Sequence, residues 1–324
     1  MYKPSTKSAW SGRTDAADGA LGLRWHQAIQ FLNLTEGIPA VAAKHTAFAF
    51  LGFCCDEGVS RNMGRVGAAA GPAALRSAMA SFAYHLPEHV QLFDAGDVLC
   101  TNQNLEEAQE QLGRKVAILL KQGYKPLVLG GGHEIAYGHY LGLEQAVAGR
   151  KLGILNLDAH FDLRNYAQQP SSGSPFLQIA DRAAAHGDEF KYKVIGLQEY
   201  GNTPILFEAA DKLGVAYTFA SEVQLHQLAQ LISELNHFLS TTDKVYLTVD
   251  MDVFAAAYAP GVSAVNALGL QPEIVLALLK AIVQSGKLLS IDIAELNPTY
   301  DIDNRTAKLA AAILYQVISN WSKA

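Results

Sequence analysis

Short apolar runs recur along this chain at intervals that leave room for a helix between them, and no other property limits its folding more. Residues 46–53, 90–93, 127–129, 152–157, 192–197, 215–219, 245–249 and 288–293 are apolar and bounded by turn formers, the pattern of buried strands. Between them lie stretches of helical period. The clearest covers 105–122, where Leu105, Ala108, Leu112, Val116, Leu119 and Leu120 trace one face before Gly123 ends it. Further helices are predicted over 73–83, 135–148, 225–239, 272–284 and 305–321. Parallel neighbours need long crossovers, so this alternation predicts a mostly parallel sheet with helices on both faces. No internal repeat or Pro/Gly/Ser linker interrupts it. One α/β domain is expected over 46–324, with 1–45 as an irregular cap belonging to the same domain.

Composition narrows the function. Half of the 324 residues are hydrophobic and 17% are charged, which allows a sizeable core and excludes a disordered chain. A net charge of -6, with no dense Lys/Arg block, argues against a nucleic-acid partner. The cysteines Cys54, Cys55 and Cys100 are too few and too irregular for a disulfide framework and fit a reducing compartment. The opening MYKPSTKSAW has no apolar leader core, and the apolar runs fall far short of a membrane span. A cytoplasmic protein acting on a small molecule, without membrane or nucleic acid, is expected.

In an open parallel sheet, ligands gather beyond the carboxyl ends of the strands. Four predicted strands end there in polar groups: LVLGGGHE supplies His133, ILNLDAHFD supplies Asp158, His160 and Asp162, VYLTVDMD supplies Asp250 and Asp252, and LLSIDIAE supplies Asp292 and Glu295. Side chains two apart on an extended segment project to one side. His133, Asp158, His160, Asp162, Asp250 and Asp252 are therefore expected to surround a pair of cations. One Asp after a strand is ordinarily a helix cap, and one buried His a hydrogen-bonded core residue. Six together differ, because carboxylates crowded at one edge raise one another's pKa unless cations neutralise them. Four carboxylates and two imidazoles without a thiolate suit Mn²⁺ better than tetrahedral Zn²⁺, so two Mn²⁺ per chain are expected. The turn of Gly130, Gly131 and Gly132 lacks the Lys-Ser/Thr of a phosphate loop and is read as room for close backbone approach beside His133.

GGGHE, NLDAHFDLR, VDMDVF and SIDIAELNP, in this order, resemble the ureohydrolase family, which includes arginase, agmatinase and formimidoylglutamase, and the likeness spans roughly residues 46–320. WSGRTD at 10–15, EGVSRNMGRVGAAAGP at 57–72, GGGHEIAYGH and DIAELNPTYDIDNRTAKLAA at 292–311 look most like the formimidoylglutamase branch. The resemblance implies a three-layer α/β/α, arginase-like fold and a di-manganese centre on the six residues named. It also implies hydrolysis of N-formimidoyl-L-glutamate to L-glutamate and formamide, a step of histidine degradation, by attack of a metal-bridging hydroxide. Agmatinase, guanidinobutyrase or arginase-type turnover is the neighbouring alternative, and a metal-holding binding protein without turnover is the non-enzyme one. Glu295 matches the family glutamate that faces the substrate's cationic head. Asp162 is the expected proton shuttle to the leaving nitrogen. Family members commonly assemble, so a homo-oligomer is expected.

Two positions depart from the arginase pattern. Arginases carry a histidine three residues beyond the glycine of a Ser-Ser-Gly loop; here the loop reads SSGSPF and places Phe176 there, a ring that cannot move a proton. Arg164 stands two positions beyond the last Asp of its cluster, where arginase-like enzymes have a short polar residue. A guanidinium there predicts a more anionic substrate, and N-formimidoylglutamate carries two carboxylates. The plainer reading is a solvent-facing arginine in a loop ion pair. Asn202, after the strand ending at Leu197, is expected either to contact substrate or to form a turn. Arg61, Asn62 and Arg65 are read chiefly as packing and ion pairs at the site's mouth, and Cys54 and Cys55 as small buried hydrophobes.

Overall fold

The computed structural model of the chain describes residues 1–147 and 149–323, and each of the strand-like runs lies in one ten-stranded sheet. The strands are β1 (Tyr2–Lys3), β2 (Gln30–Phe31), β3 (Thr46–Cys54), β4 (Val90–Leu99), β5 (Lys125–Leu129), β6 (Leu152–Leu157), β7 (Lys191–Leu197), β8 (Ala216–Phe219), β9 (Lys244–Asp250) and β10 (Leu288–Ala294). Their spatial order is β1-β4-β3-β5-β10-β9-β6-β7-β8, with β2 also pairing β4. All pairings are parallel except β1 against β4. Helices Gly71–Ala80, Leu228–Ser240, Pro272–Gln284 and Arg305–Trp321 bury their apolar faces on one side of the sheet. Leu105–Lys121, Ile135–Val147, Pro175–His186 and Pro204–Leu213 cover the other. The result is the three-layer α/β/α arrangement that the alternation predicts.

Helices 175–186 and 204–213 were not among those predicted, because their short apolar stripes lie close to turn-forming residues. A signal was available. Each has a proline in its first turn and a glycine in left-handed conformation at its end, Gly187 at φ 74° and Gly214 at φ 66°. β4 is also longer than its apolar run. It continues through Asp94 and Asp97 because Arg76 pairs with both, Nε to Asp94 Oδ2 at 2.7 Å and Nη1 to Asp97 Oδ1 at 2.7 Å. The Trp10 indole donates to Asp94 as well, at 2.5 Å, so the WSGRTD stretch ties the first residues to β4. Trp10 and Trp25 are both buried in the core. Among the described residues no helix is long and apolar enough to cross a membrane.

Candidate metal centre

β5, β10, β9 and β6 are consecutive in the sheet, and the polar groups follow their carboxyl ends. After β5 the triple-glycine turn threads between two neighbours: Gly130 N–H donates to Ile293 O at 2.7 Å and Gly131 N–H to Phe53 O at 3.0 Å. A Cβ on Gly130 would collide with the Ile293 carbonyl, and one on Gly131 with the Cys55 carbonyl, so only glycine lets the turn deliver His133 here. After β6 the outcome differs from the expected extended segment. The chain bends at 158–160 and Asp162 adopts a left-handed φ of 50°, so a bend and not a strand pleat gathers Asp158, His160 and Asp162. The bend is gripped from outside. Asn202 accepts from Phe161 N–H at 3.0 Å and donates to Ala159 O at 3.0 Å, while the Tyr192 hydroxyl donates to Phe161 O at 3.0 Å.

The structure brings the six candidate ligands into two adjoining groups. Around His133 Nδ1 stand Asp158 Oδ2 at 3.1 Å, Asp162 Oδ2 at 2.9 Å and Asp250 Oδ2 at 3.1 Å. Around His160 Nδ1 stand Asp252 Oδ2 at 3.2 Å and Asp158 Oδ1 at 3.4 Å. Asp158 thus divides its two oxygens between the groups. His133 Nδ1 is buried without a hydrogen-bond partner although three carboxylates surround it, and Asp252 Oδ1 is likewise unpartnered. Such convergence of lone pairs fits cations better than hydrogen bonds.

The electrostatics agree. Burial pushes the Asp250 carboxyl well above its ordinary range, and Asp252 and Asp158 push it further; burial also raises Asp162 and Asp252. Burial opposes a charge on His133 and His160, but the surrounding aspartates outweigh it and hold both imidazoles well above their ordinary value. Protein groups alone neutralise this cluster only by taking up protons, a role that divalent cations fill without them.

Glu295 closes one wall, held at a left-handed φ of 62° with Oε1 accepting from His133 N–H at 2.9 Å. Its Oε2 is buried and unpartnered, and burial with Asp250 and Glu134 raises its carboxyl well above the ordinary range. A cavity of about 270 Å³ opens over the cluster, lined in part by Asn62, Arg164, Ser172, Asn202, Ser263 and Glu295. Arg164 is exposed at this cavity. Asn202 also borders it, but both amide hydrogens go to the carbonyls of Ala159 and Gln198 and its oxygen holds Phe161 N–H. The structure therefore gives Asn202 a clamping task.

Phe176 lies not on a loop but in the first turn of helix 175–186, fully buried. Its ring stacks on Tyr192 at 4.4 Å and meets the His133 ring edge-on at 5.4 Å, so it buttresses a candidate ligand. Arg61 is taken up by Glu57, Glu106 and the carbonyls of Gln103 and Pro170. Arg65 holds the carbonyls of Val262 and Ser263 and stacks over Tyr300. Cys55 is buried, as expected of a small hydrophobe, whereas Cys54 at the end of β3 is only partly buried. Thr248 and Tyr192 touch the site although sequence reasoning passed over them. A polar residue within an apolar strand was the available signal.

The model of the arginase family matches residues 46–319. A formimidoylglutamase of Chromobacterium violaceum is 47% identical over 308 residues, covering 95% of this chain and 96% of the relative. One of Rhodococcus opacus is 48% identical, covering 96% and 94%. A formiminoglutamase of Trypanosoma cruzi solved with Mn²⁺ superposes with a TM-score of 0.77 at 26% identity, over 86% of this chain and 94% of that one. Formimidoylglutamase of Bacillus subtilis has the same fold, with a TM-score of 0.81 at 24% identity over 93% and 92%.

Proposed function

The chain belongs to the arginase family, and from that premise we propose that it hydrolyses N-formimidoyl-L-glutamate to L-glutamate and formamide. The observation that carries the chemistry is the shared Asp158, whose two oxygens point to two separate imidazoles. It supports a pair of cations held side by side, one by His133, Asp158, Asp162 and Asp250, the other by His160, Asp158 and Asp252. Two Mn²⁺ bound there would supply Lewis acidity and a water acidic enough to act as a nucleophile near neutral pH.

The chain's own residues do the rest. Glu295 Oε2, unpartnered at the cavity wall, accepts a hydrogen bond from the planar formamidinium and orients its carbon toward the metal cluster. In the reaction a C–O bond forms at that carbon and the C–N bond to the glutamate nitrogen breaks, so this nitrogen must gain a proton as it leaves. Asp162, which lines the cavity beside the cluster, carries that proton. Arg164, at the cavity's outer wall, pairs with one of the two substrate carboxylates. Residues 46–324 act as one catalytic domain, and the first 45 residues are not the irregular cap expected but add β1 and β2 to its sheet and Trp10 and Trp25 to its core. The enzyme works as a homo-oligomer in the cytoplasm, where its free thiols stay reduced.

The decisive experiment is a side-by-side assay of formimidoylglutamate, arginine, agmatine and guanidinobutyrate with the Mn²⁺-loaded protein, alongside metal analysis. Formimidoylglutamate should turn over fastest, with two Mn²⁺ per chain. Faster turnover of arginine or agmatine refutes the substrate, full activity with one ion refutes the paired site, and no turnover of any leaves a metal-holding protein.

A further inference from the structure

His133 needs its Nδ1 lone pair free to serve as a ligand, and nothing within its own loop decides which nitrogen carries the proton. The decision comes from across the sheet. β10 and β9 pair in a register that sets Asp292 beside Thr248. The Thr248 hydroxyl donates to Asp292 Oδ1 at 2.5 Å, and Thr248 Oγ1 lies 3.0 Å from His133 Nε2. A carboxylate only accepts, and a hydroxyl has one hydrogen. With that hydrogen committed to Asp292, Thr248 meets His133 as an acceptor, and the proton belongs on Nε2. The Nδ1 lone pair is then left facing the oxygens of Asp158, Asp162 and Asp250.

Asp292 is itself held from the far side. The Tyr246 hydroxyl donates to its Oδ2 at 2.5 Å, and His139 Nδ1 lies 2.6 Å from the same atom. Ser290 hydroxyl donates to Pro126 O at 2.8 Å and faces His139 Nε2 at 2.7 Å, so that imidazole too is fixed in orientation. Thr248, Asp292, His139 and Ser290 are all fully buried. His160 has no counterpart to this chain; among the described residues no hydrogen-bond partner reaches its Nε2, and its side chain is 28% exposed.

We propose that Thr248 and Asp292 are positioning residues that fix the tautomer of His133 and thereby set the affinity of one of the two metal sites, the one beside His133. The inference rests on the metal-centre reading above. Hydroxyl and carboxylate partners behind a ligating imidazole typically change metal affinity by about 10- to 100-fold when removed. The asymmetry between the two imidazoles makes the effect selective.

The test is Mn²⁺ binding to the wild type, Thr248→Val and Thr248→Ser, followed by the EPR signal of free and bound Mn²⁺ with melting temperature recorded in parallel. Thr248→Val should weaken one site by about 10- to 100-fold. At Mn²⁺ concentrations that give the wild type two spin-coupled ions, it should show the uncoupled signal of one. Thr248→Ser keeps the hydroxyl and should restore the coupled pair. Thr248→Ala carries the same expectation if valine is not accommodated. Two ions at wild-type affinity in the valine and alanine variants overturn the proposal, as does a serine variant no better than valine, or loss of both ions in step with a fall in melting temperature. A wild type that binds no Mn²⁺ instead sinks the metal-centre reading itself.

Discussion

Replacing Asn202 by alanine separates a clamp from a substrate contact. The residue is 6% exposed, and its side chain makes three hydrogen bonds to the turn that bears Asp158, His160 and Asp162 and to its own turn. They are not equal. Ala159 O keeps a second donor, Gln198 N–H at 2.9 Å, and Gln198 O keeps Gly201 N–H at 3.1 Å. Phe161 N–H has Asn202 Oδ1 as its partner and is left unpaired in the interior. One orphaned buried donor costs about 1–3 kcal/mol, and two carbonyls each losing one of two partners add about 0.5 kcal/mol apiece, so the loss is on the order of 2–4 kcal/mol. For a chain of 324 residues that is a fall of about 3–6 °C in melting temperature. Phe161 sits between His160 and Asp162, so Mn²⁺ affinity should fall about tenfold with it. Asn202→Asp is the control. It keeps an acceptor for Phe161 N–H but sets a carboxylate oxygen against two carbonyls, and should be no less destabilising. Thermal unfolding with and without Mn²⁺, together with kcat and KM, reads all of this. A variant with unchanged stability and metal affinity but a raised KM would show that Asn202 binds substrate and that the clamp argument is wrong.

Glu295→Gln preserves an acceptor for His133 N–H, so metal content should hold while kcat falls about 100-fold as the charge opposite the formamidinium is lost; an unchanged kcat would make Glu295 structural. Arg164→Ala should raise KM for formimidoylglutamate about 10- to 100-fold, about 1.4–2.8 kcal/mol, the modest range reflecting solvent screening of an exposed guanidinium. Metal binding should not change, and an unmoved KM would place this arginine outside the substrate's reach. Burial pushes the Glu134 carboxyl up to about 7 from an ordinary 4.5. Because the folded state holds that proton more tightly, its contribution is fully present below about pH 4.5 and is lost as pH rises through 7, on the order of 3 kcal/mol. Urea unfolding of chelator-treated protein between pH 5 and 8 should show this decline, and Glu134→Gln should flatten it; an equal slope in both proteins assigns the decline to other groups.

Much of the site was legible because its signals are local. A strand announces itself by a short apolar run, and the polar group that ends it lies at the same edge as every other parallel strand's end. His133, Asp158, His160, Asp162, Asp250, Asp252 and Glu295 could be gathered on that logic alone. The logic failed where local signals were faint or ambiguous. Helices 175–186 and 204–213 have short stripes, and β4 runs through two aspartates that read as a turn until Arg76 and Trp10 are seen to satisfy them. The alternation of Asp158, His160 and Asp162 suggested a pleated strand, yet the same three side chains converge through a bend held by Asn202 and Tyr192.

The alternating α/β architecture and the chemistry available at the strand ends are both written in the order of the residues, since they depend on periods of two and 3.6 residues and on which residue follows a strand. How those residues act on one another depends on the packed fold. β10 and β9 come between β5 and β6, although both follow them in the chain, and this order sets Thr248 behind His133 across 115 residues and beside Asp292 across 44. No local pattern encodes such a neighbour, because it follows from which crossovers pack together and in what register. The tautomer of a ligand, the division of Asp158 between two imidazoles and the buttress of Phe176 are consequences of that packing.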